Sequence, residues 1–196
     1  MRRLAAGVAL ATALALTVGL AASLSGVSSQ KLTVEEKATS VPTTMSCTAS
    51  ATADNYVSQS DPVTNFGSAD FVEVRAFITS DRRTFVKFDV AGCSIPATAT
   101  IDSATLSLYM HAAPGSSRTY QARRVTASWI ETGQTWNNQP AVAGADTSTF
   151  STGTISNVWK SADVKADVAA FVAGSQTNHG WRIKDSSEGS LTSITA

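Results

Sequence analysis

The sequence has 196 residues, 15 Lys plus Arg, 15 Asp plus Glu and only two His. That balance gives no electrostatic pull toward nucleic acid or an anionic membrane. The two histidines, His111 and His179, have no second ligand at helical spacing, so no zinc pattern exists.

Arg2 and Arg3 precede an uncharged run over 4–20 dominated by Ala, Leu and Val, the layout of a secretory signal peptide. Ala21, Ala22, Ser23 and Ser25 supply small residues for cleavage, so residues 1–25 read as a leader and the mature protein as secreted. An uncleaved anchor is the competing reading, because the uncharged stretch continues to Gln30. Its alanine-rich composition, interrupted by Gly7, Gly19 and Gly26, suits a transient leader better. Losing Arg2 and Arg3 leaves 13 basic against 15 acidic residues, and nothing later in the chain resembles a membrane span. Residues 26–46, rich in Thr, Ser, Lys and Glu, read as a flexible linker or pro-region.

The remaining residues, 47–196, are enough for one domain with a substantial core. Cys47 and Cys93 lie in this exported part, and an even count is compatible with one disulfide or with two buried thiols. Period-two alternation then dominates. Residues 71–77 place Val72, Val74 and Ala76 on one face, and 83–90 do the same with Val86, Phe88 and Val90. The clearest strand is 101–111, where Ala104, Leu106, Leu108 and Met110 alternate with Ser103, Thr105, Ser107, Tyr109 and His111. Weaker strands are expected at 119–125, 150–155 and 180–183, the last with Trp181 and Ile183 inward and Arg182 and Lys184 outward. Turns are expected at Asn65-Phe66-Gly67, Ala91-Gly92, Ala113-Pro114-Gly115 and Thr132-Gly133. One segment is helical: Val164, Val168, Phe171 and Val172 form a stripe, with Asp163 to cap its start and Gly174 to end it. Short antiparallel strands plus one short helix predict a mainly β fold, an antiparallel β-sandwich of jelly-roll type.

These motifs carry a family resemblance. A-D-N-Y-V at 53–57, N-F-G at 65–67, R-R-T-F-V-K-F-D-V at 82–90, I-D-S-A-T-L-S-L-Y at 101–109, S-W-I-E, T-W-N-N-Q-P, D-V-A-A-F-V and G-W-R-I-K-D at 180–185 occur in an order similar to the DNRLRE domain. That family resembles the disaggregatase-related repeats and includes carbohydrate-binding members, some directed at alginate. The resemblance implies a secreted, non-catalytic module whose partner is extracellular polysaccharide. It also implies two further strands after residue 196, so the domain is expected to be C-terminally truncated.

A sugar site needs an aromatic plane for C–H faces and amides, carboxylates or guanidinium groups for hydroxyls, with Arg and Lys added for acidic sugars. Tyr109 and His111 fit best, projecting from the face opposite Leu106, Leu108 and Met110, unless loops cover that face. Trp136, Asn137 and Asn138 come next, although a Trp-Asn turn before Pro140 also suits a buried plug. Lys87 and Arg123, with Arg75, Arg124, Arg182 and Lys184, offer a basic groove for a uronate polymer. Asp54, Asp61 and Asn65, near Asn55 and Asp70, are hard oxygen donors that calcium accepts, without EF-hand spacing; no other cofactor is implied. No nucleophile elbow is present. The enzymatic readings left are a lyase using Tyr109 and His111 or a carboxylate pair drawn from Glu131 and Glu188. A cell-surface adhesion module without a sugar site is the main alternative.

Overall fold

The computed structural model describes residues 44–49 and 51–189. The expected leader, nearly all of the linker, and the C-terminal residues next to the expected missing strands lie outside the described residues. Among the described residues seven strands form: β1 Ala51–Ser58, β2 Arg82–Phe88, β3 Thr105–Met110, β4 Thr119–Arg124, β5 Ser148–Ser151, β6 Val158–Asp163 and β7 Trp181–Asp185, with helix α1 at Lys165–Val172. One sheet has the order β1-β2-β7-β4-β5 and the other pairs β3 with β6, all antiparallel. The chain is therefore the mainly β, two-sheet sandwich with one short helix that the alternation predicts. Among the described residues, no helix is long and apolar enough to cross a membrane.

Alternation explains which side of each strand is buried. Val86, Leu106, Tyr120, Ala122, Ala162, Trp181 and Ile183 point between the sheets, joined by Val74 and by Val164 ahead of α1. The larger apolar side chains among them, such as Val86, Leu106 and Ile183, contribute about 1.5–3 kcal/mol each. Val168 and Phe171 of α1 pack against the same cluster, as their helical spacing predicts. Asp163 Oδ1 accepts the Lys165 N–H at 2.9 Å, and Gly174 at φ +70° ends the helix in the left-handed region. Asp167 in the first turn accepts the Trp181 indole N–H at 2.8 Å, so the helix is tied to the centre of the large sheet.

β7 enters between β2 and β4 through Gly180. Its φ is +79°, and a Cβ there would lie 2.0 Å from the Val86 carbonyl oxygen. Only glycine lets the strand approach so closely. Cys47 and Cys93 form a disulfide, with Cα atoms 5.8 Å apart, joining the segment before β1 to the turn after β2.

Two expectations need correction. Residues 71–77 are not a ladder strand: Val74 and Ala76 are buried as the alternation requires, yet the only pairing is an isolated bridge between Arg75 and Arg82. The segment turns away at Thr79, φ +64°, and Asp81 Oδ1 takes the Phe77 N–H that a ladder would have used. The strand expected at 150–155 runs instead over β5, because Gly153 at φ +61° breaks it.

Candidate functional site

The outer face of the five-stranded sheet is partly covered by the Trp-rich stretch. Val57, Phe85 and Val125 point outward from β1, from β2 and from just beyond β4, and Trp129, Trp136 and Val142 close over them as a second apolar cluster. Carboxamides fasten this cover. Asn65 Nδ2 donates to the carbonyls of Glu131 and Gln134, both at 2.7 Å, and Asn55 Nδ2 donates to Gln134 at 3.0 Å. A Cβ on Gly67 would sit 2.3 Å from the Glu131 carbonyl oxygen, so the 65–67 turn is wedged beneath the loop. Asn138 Oδ1 accepts the Thr135 N–H at 2.6 Å while its Nδ2 donates to the Gly133 carbonyl at 2.9 Å. Trp129 donates its indole N–H to His179 at 2.8 Å. The Asn138 side chain is thus committed to loop backbone, and Asn137 beside it is exposed. Trp136 is half-buried, and its ring carries the Arg83 guanidinium 4.4 Å above its centroid.

Beyond Trp136 the same face becomes cationic. Arg182 of β7 is flanked by Phe85 on β2 and Arg123 on β4, and Lys184 lies opposite Gln121. With Arg83 from β2, four cations cover three strands, roughly 10 Å at ~4.8 Å per strand. Glu188 is shared by Arg83, Nη2 to Oε2 2.9 Å, and Lys184, 3.3 Å, and Asp146 pairs with Arg123 at 2.7 Å. Two carboxylates therefore answer four cations. Arg182 has no ion pair or side-chain hydrogen bond among the described residues, and its Nε is buried without a partner, as is Gln121 Oε1. Burial first, then the neighbouring Arg83, lowers its pKa to about 10, still far enough above neutrality that the guanidinium keeps its charge.

Of the basic residues expected here, Arg123 joins this cluster and Lys87 does not. Lys87 lies past Phe85 on β2, beside His179, whose pKa is lowered by burial and then by the Lys87 charge. Arg124 turns to the other side of the sheet and meets Asp167 at 3.2 Å, while the Arg75 guanidinium sits 5.2 Å above the Phe77 ring. Arg83 was not singled out from sequence; the signal was its alternation with Phe85 and Lys87.

The other outer face belongs to β3 and β6. Tyr109 and Trp159 are direct cross-strand partners, 50% and 66% exposed, with ring centroids 5.3 Å apart and planes at 68°. Ser107 and Ser161 follow, their hydroxyls 3.1 Å apart, and then Thr105 opposite Asp163. His111 is exposed one residue beyond β3. Trp159 was missed because β6 itself was missed: its largest apolar residue faces out and Lys160 takes an inward register position, opposite to the usual pattern.

The calcium candidates are individually engaged. Asn65 is used on the loop, Asp61 Oδ2 accepts from Ser58 and Ser60, both at 2.9 Å, and Asp54 sits against Glu131, where burial and then that carboxylate raise its pKa. Among the described residues no cluster of three or more His, Cys, Asp or Glu is placed to hold a metal. No hydrogen bond joins Tyr109 to His111, and Glu131 and Glu188 are occupied separately, by the Asp54 N–H at 3.1 Å and by the two cations.

The sandwich therefore carries two outer surfaces of different chemistry, a cationic field short of carboxylates on the large sheet and an exposed aromatic-hydroxyl strip on the small one. No curated protein matches the sequence. Residues 45–196 match carbohydrate-binding module family 96, a span that includes every strand of the sandwich, and the chain belongs to that family.

Proposed function

We propose that this chain is a secreted, non-catalytic module, similar to DNRLRE domains, that binds an acidic extracellular polysaccharide such as alginate on the outer face of the five-stranded sheet. Arg182 carries the reading. A guanidinium that is largely buried, flanked by Arg83 and Arg123 and without a carboxylate of its own, costs stability in the free protein. A uronate carboxylate is planar, accepts two parallel N–H bonds and supplies the missing charge. Lys184 and Gln121 stand on the next positions to meet adjoining carboxylates and hydroxyls. Trp136 holds Arg83 in place from beneath, a positioning role.

Affinity electrophoresis tests this. The intact protein is expected to be retarded by alginate or pectate in the gel, and Arg182→Gln is expected to weaken that retardation at least tenfold with its thermal unfolding unchanged. Equal retardation of the variant would remove Arg182 from the site. Free migration of the intact protein through every acidic glycan would favour an adhesion module instead.

A further inference from the structure

The strip on β3 and β6 lies on a different sheet from the cationic face and has different chemistry. Its outward positions are Thr105, Ser107 and Tyr109 on one strand and Trp159, Ser161 and Asp163 on the other. They include no cation, and the single formal charge, Asp163, is negative. Lys165 stands only at the Asp163 end, so an acidic polymer gains no cation along Tyr109 and Trp159. Serine and threonine hydroxyls both donate and accept, as sugar hydroxyls do, whereas a protein partner would need an apolar core and about 800 Å² on each side. Four of the six side chains are polar, which is too little apolar surface for that. The rings of Tyr109 and Trp159 meet at 68°, so they form a corner rather than a plane. A corner grips one pyranose ring, on its C–H face and at its edge, and cannot lie flat on a crystalline surface.

We propose that this strip is a second glycan site, for a single soluble chain of a neutral polysaccharide, with Tyr109 and Trp159 seating one sugar ring and Ser107, Ser161 and Asp163 bonding the next. It does not depend on the cationic face. Trp159 is the exposed tryptophan of the described domain; Trp129 and Trp136 are half-buried and Trp181 is buried.

The test runs the intact protein, Trp159→Ala, Tyr109→Ala and Arg182→Gln through gels containing mixed-linkage β-glucan, galactomannan, laminarin or alginate. A crystalline cellulose pull-down accompanies them. The expected result is retardation by at least one neutral glycan, weakened roughly tenfold by Trp159→Ala, less by Tyr109→Ala and not at all by Arg182→Gln. Alginate should show the reverse dependence, so failure of one site is distinguishable from failure of the other. Should Trp159→Ala fail to fold, acrylamide quenching of tryptophan emission in the intact protein decides, since a bound neutral glycan must reduce it.

Several results would overturn the site. They are no neutral retardation of the intact protein, retardation indifferent to Trp159, no change in quenching, or binding to crystalline cellulose alone. A dimer that dissolves in Trp159→Ala would give the face to a second copy of the chain.

Discussion

The two outer faces of the sandwich use tryptophan in opposite ways. On the five-stranded sheet Trp129 and Trp136 are pressed onto Val57, Phe85 and Val125, and the loop that carries them is held by carboxamides from β1 and the 65–67 turn. On the β3–β6 pair Trp159 stands 66% exposed, and among the described residues Tyr109 is its aromatic partner. The same side chain is a fastening on one face and an open platform on the other. What separates them is whether neighbouring amides tie down the backbone that carries the ring. Loop backbone that must be satisfied brings Asn and Gln with it, and those groups are then unavailable to a ligand.

The large sheet also has a covalent brace that the small one lacks. Cys47–Cys93 closes a loop across β1 and β2, 46 residues apart in sequence. Chain entropy sets its worth at up to about 4 kcal/mol. Cys93→Ser paired with Cys47→Ser should lower the unfolding free energy, read from chemical denaturation, by that order, the largest single effect expected. A change under about 1 kcal/mol would mean that the β1–β2 edge holds without it.

The tryptophan contrast can be broken directly. Trp136→Ala removes a half-buried ring from an apolar cluster and the seat of Arg83, so a loss of about 2–3 kcal/mol is expected, below the full cost of a buried Trp. Trp159→Ala should change stability by no more than about 0.5 kcal/mol, as surface substitutions do. Equal destabilisation by the two would erase the distinction between fastening and platform. Salt sharpens it further. At about 0.5 M, where the Debye length is roughly 4 Å, retention on alginate should fall about tenfold, while retention on a neutral glycan should hold.

Much of this was legible in the sequence where burial and period agree. β3 follows its alternation, with Leu106 buried and Tyr109 exposed, and α1 follows its stripe from Val164 to Val172 between Asp163 and Gly174. β7 likewise places Trp181 and Ile183 in the core and Arg182 and Lys184 outside. β6 was illegible because it inverts the rule, showing its tryptophan to solvent. Local pattern fails there because the residue with the most apolar surface is not placed in the core, and that exposed face is the one proposed above for a second glycan. Residues 71–77 failed for the opposite reason: the pattern was right about Val74 and Ala76, but pairing depends on what lies alongside, and side chains such as Asp81 took the backbone groups. The cationic cluster was half-legible. Arg123, Arg182 and Lys184 come together, but only the register of β2, β7 and β4 shows that Arg83 belongs with them while Lys87 does not.

Arg182 gives a small effect on stability, of the opposite sign, and tests the proposed role of the large face most directly. Its guanidinium is largely desolvated, repelled by Arg83 and Arg123, and offset only in part by Glu188 and Asp146, which are already paired elsewhere. Replacing it with an apolar side chain of similar length removes the desolvation cost without opening a cavity. Arg182→Met should therefore be neutral or stabilising by no more than about 1 kcal/mol, read from chemical denaturation, while losing alginate retention. Opposite signs for stability and binding at one residue are the mark of a charge kept for a ligand. If Arg182→Met destabilises the free protein and leaves retention intact, the residue belongs to the scaffold, and the proposal of an acidic glycan on this face loses the uncompensated charge it rests on.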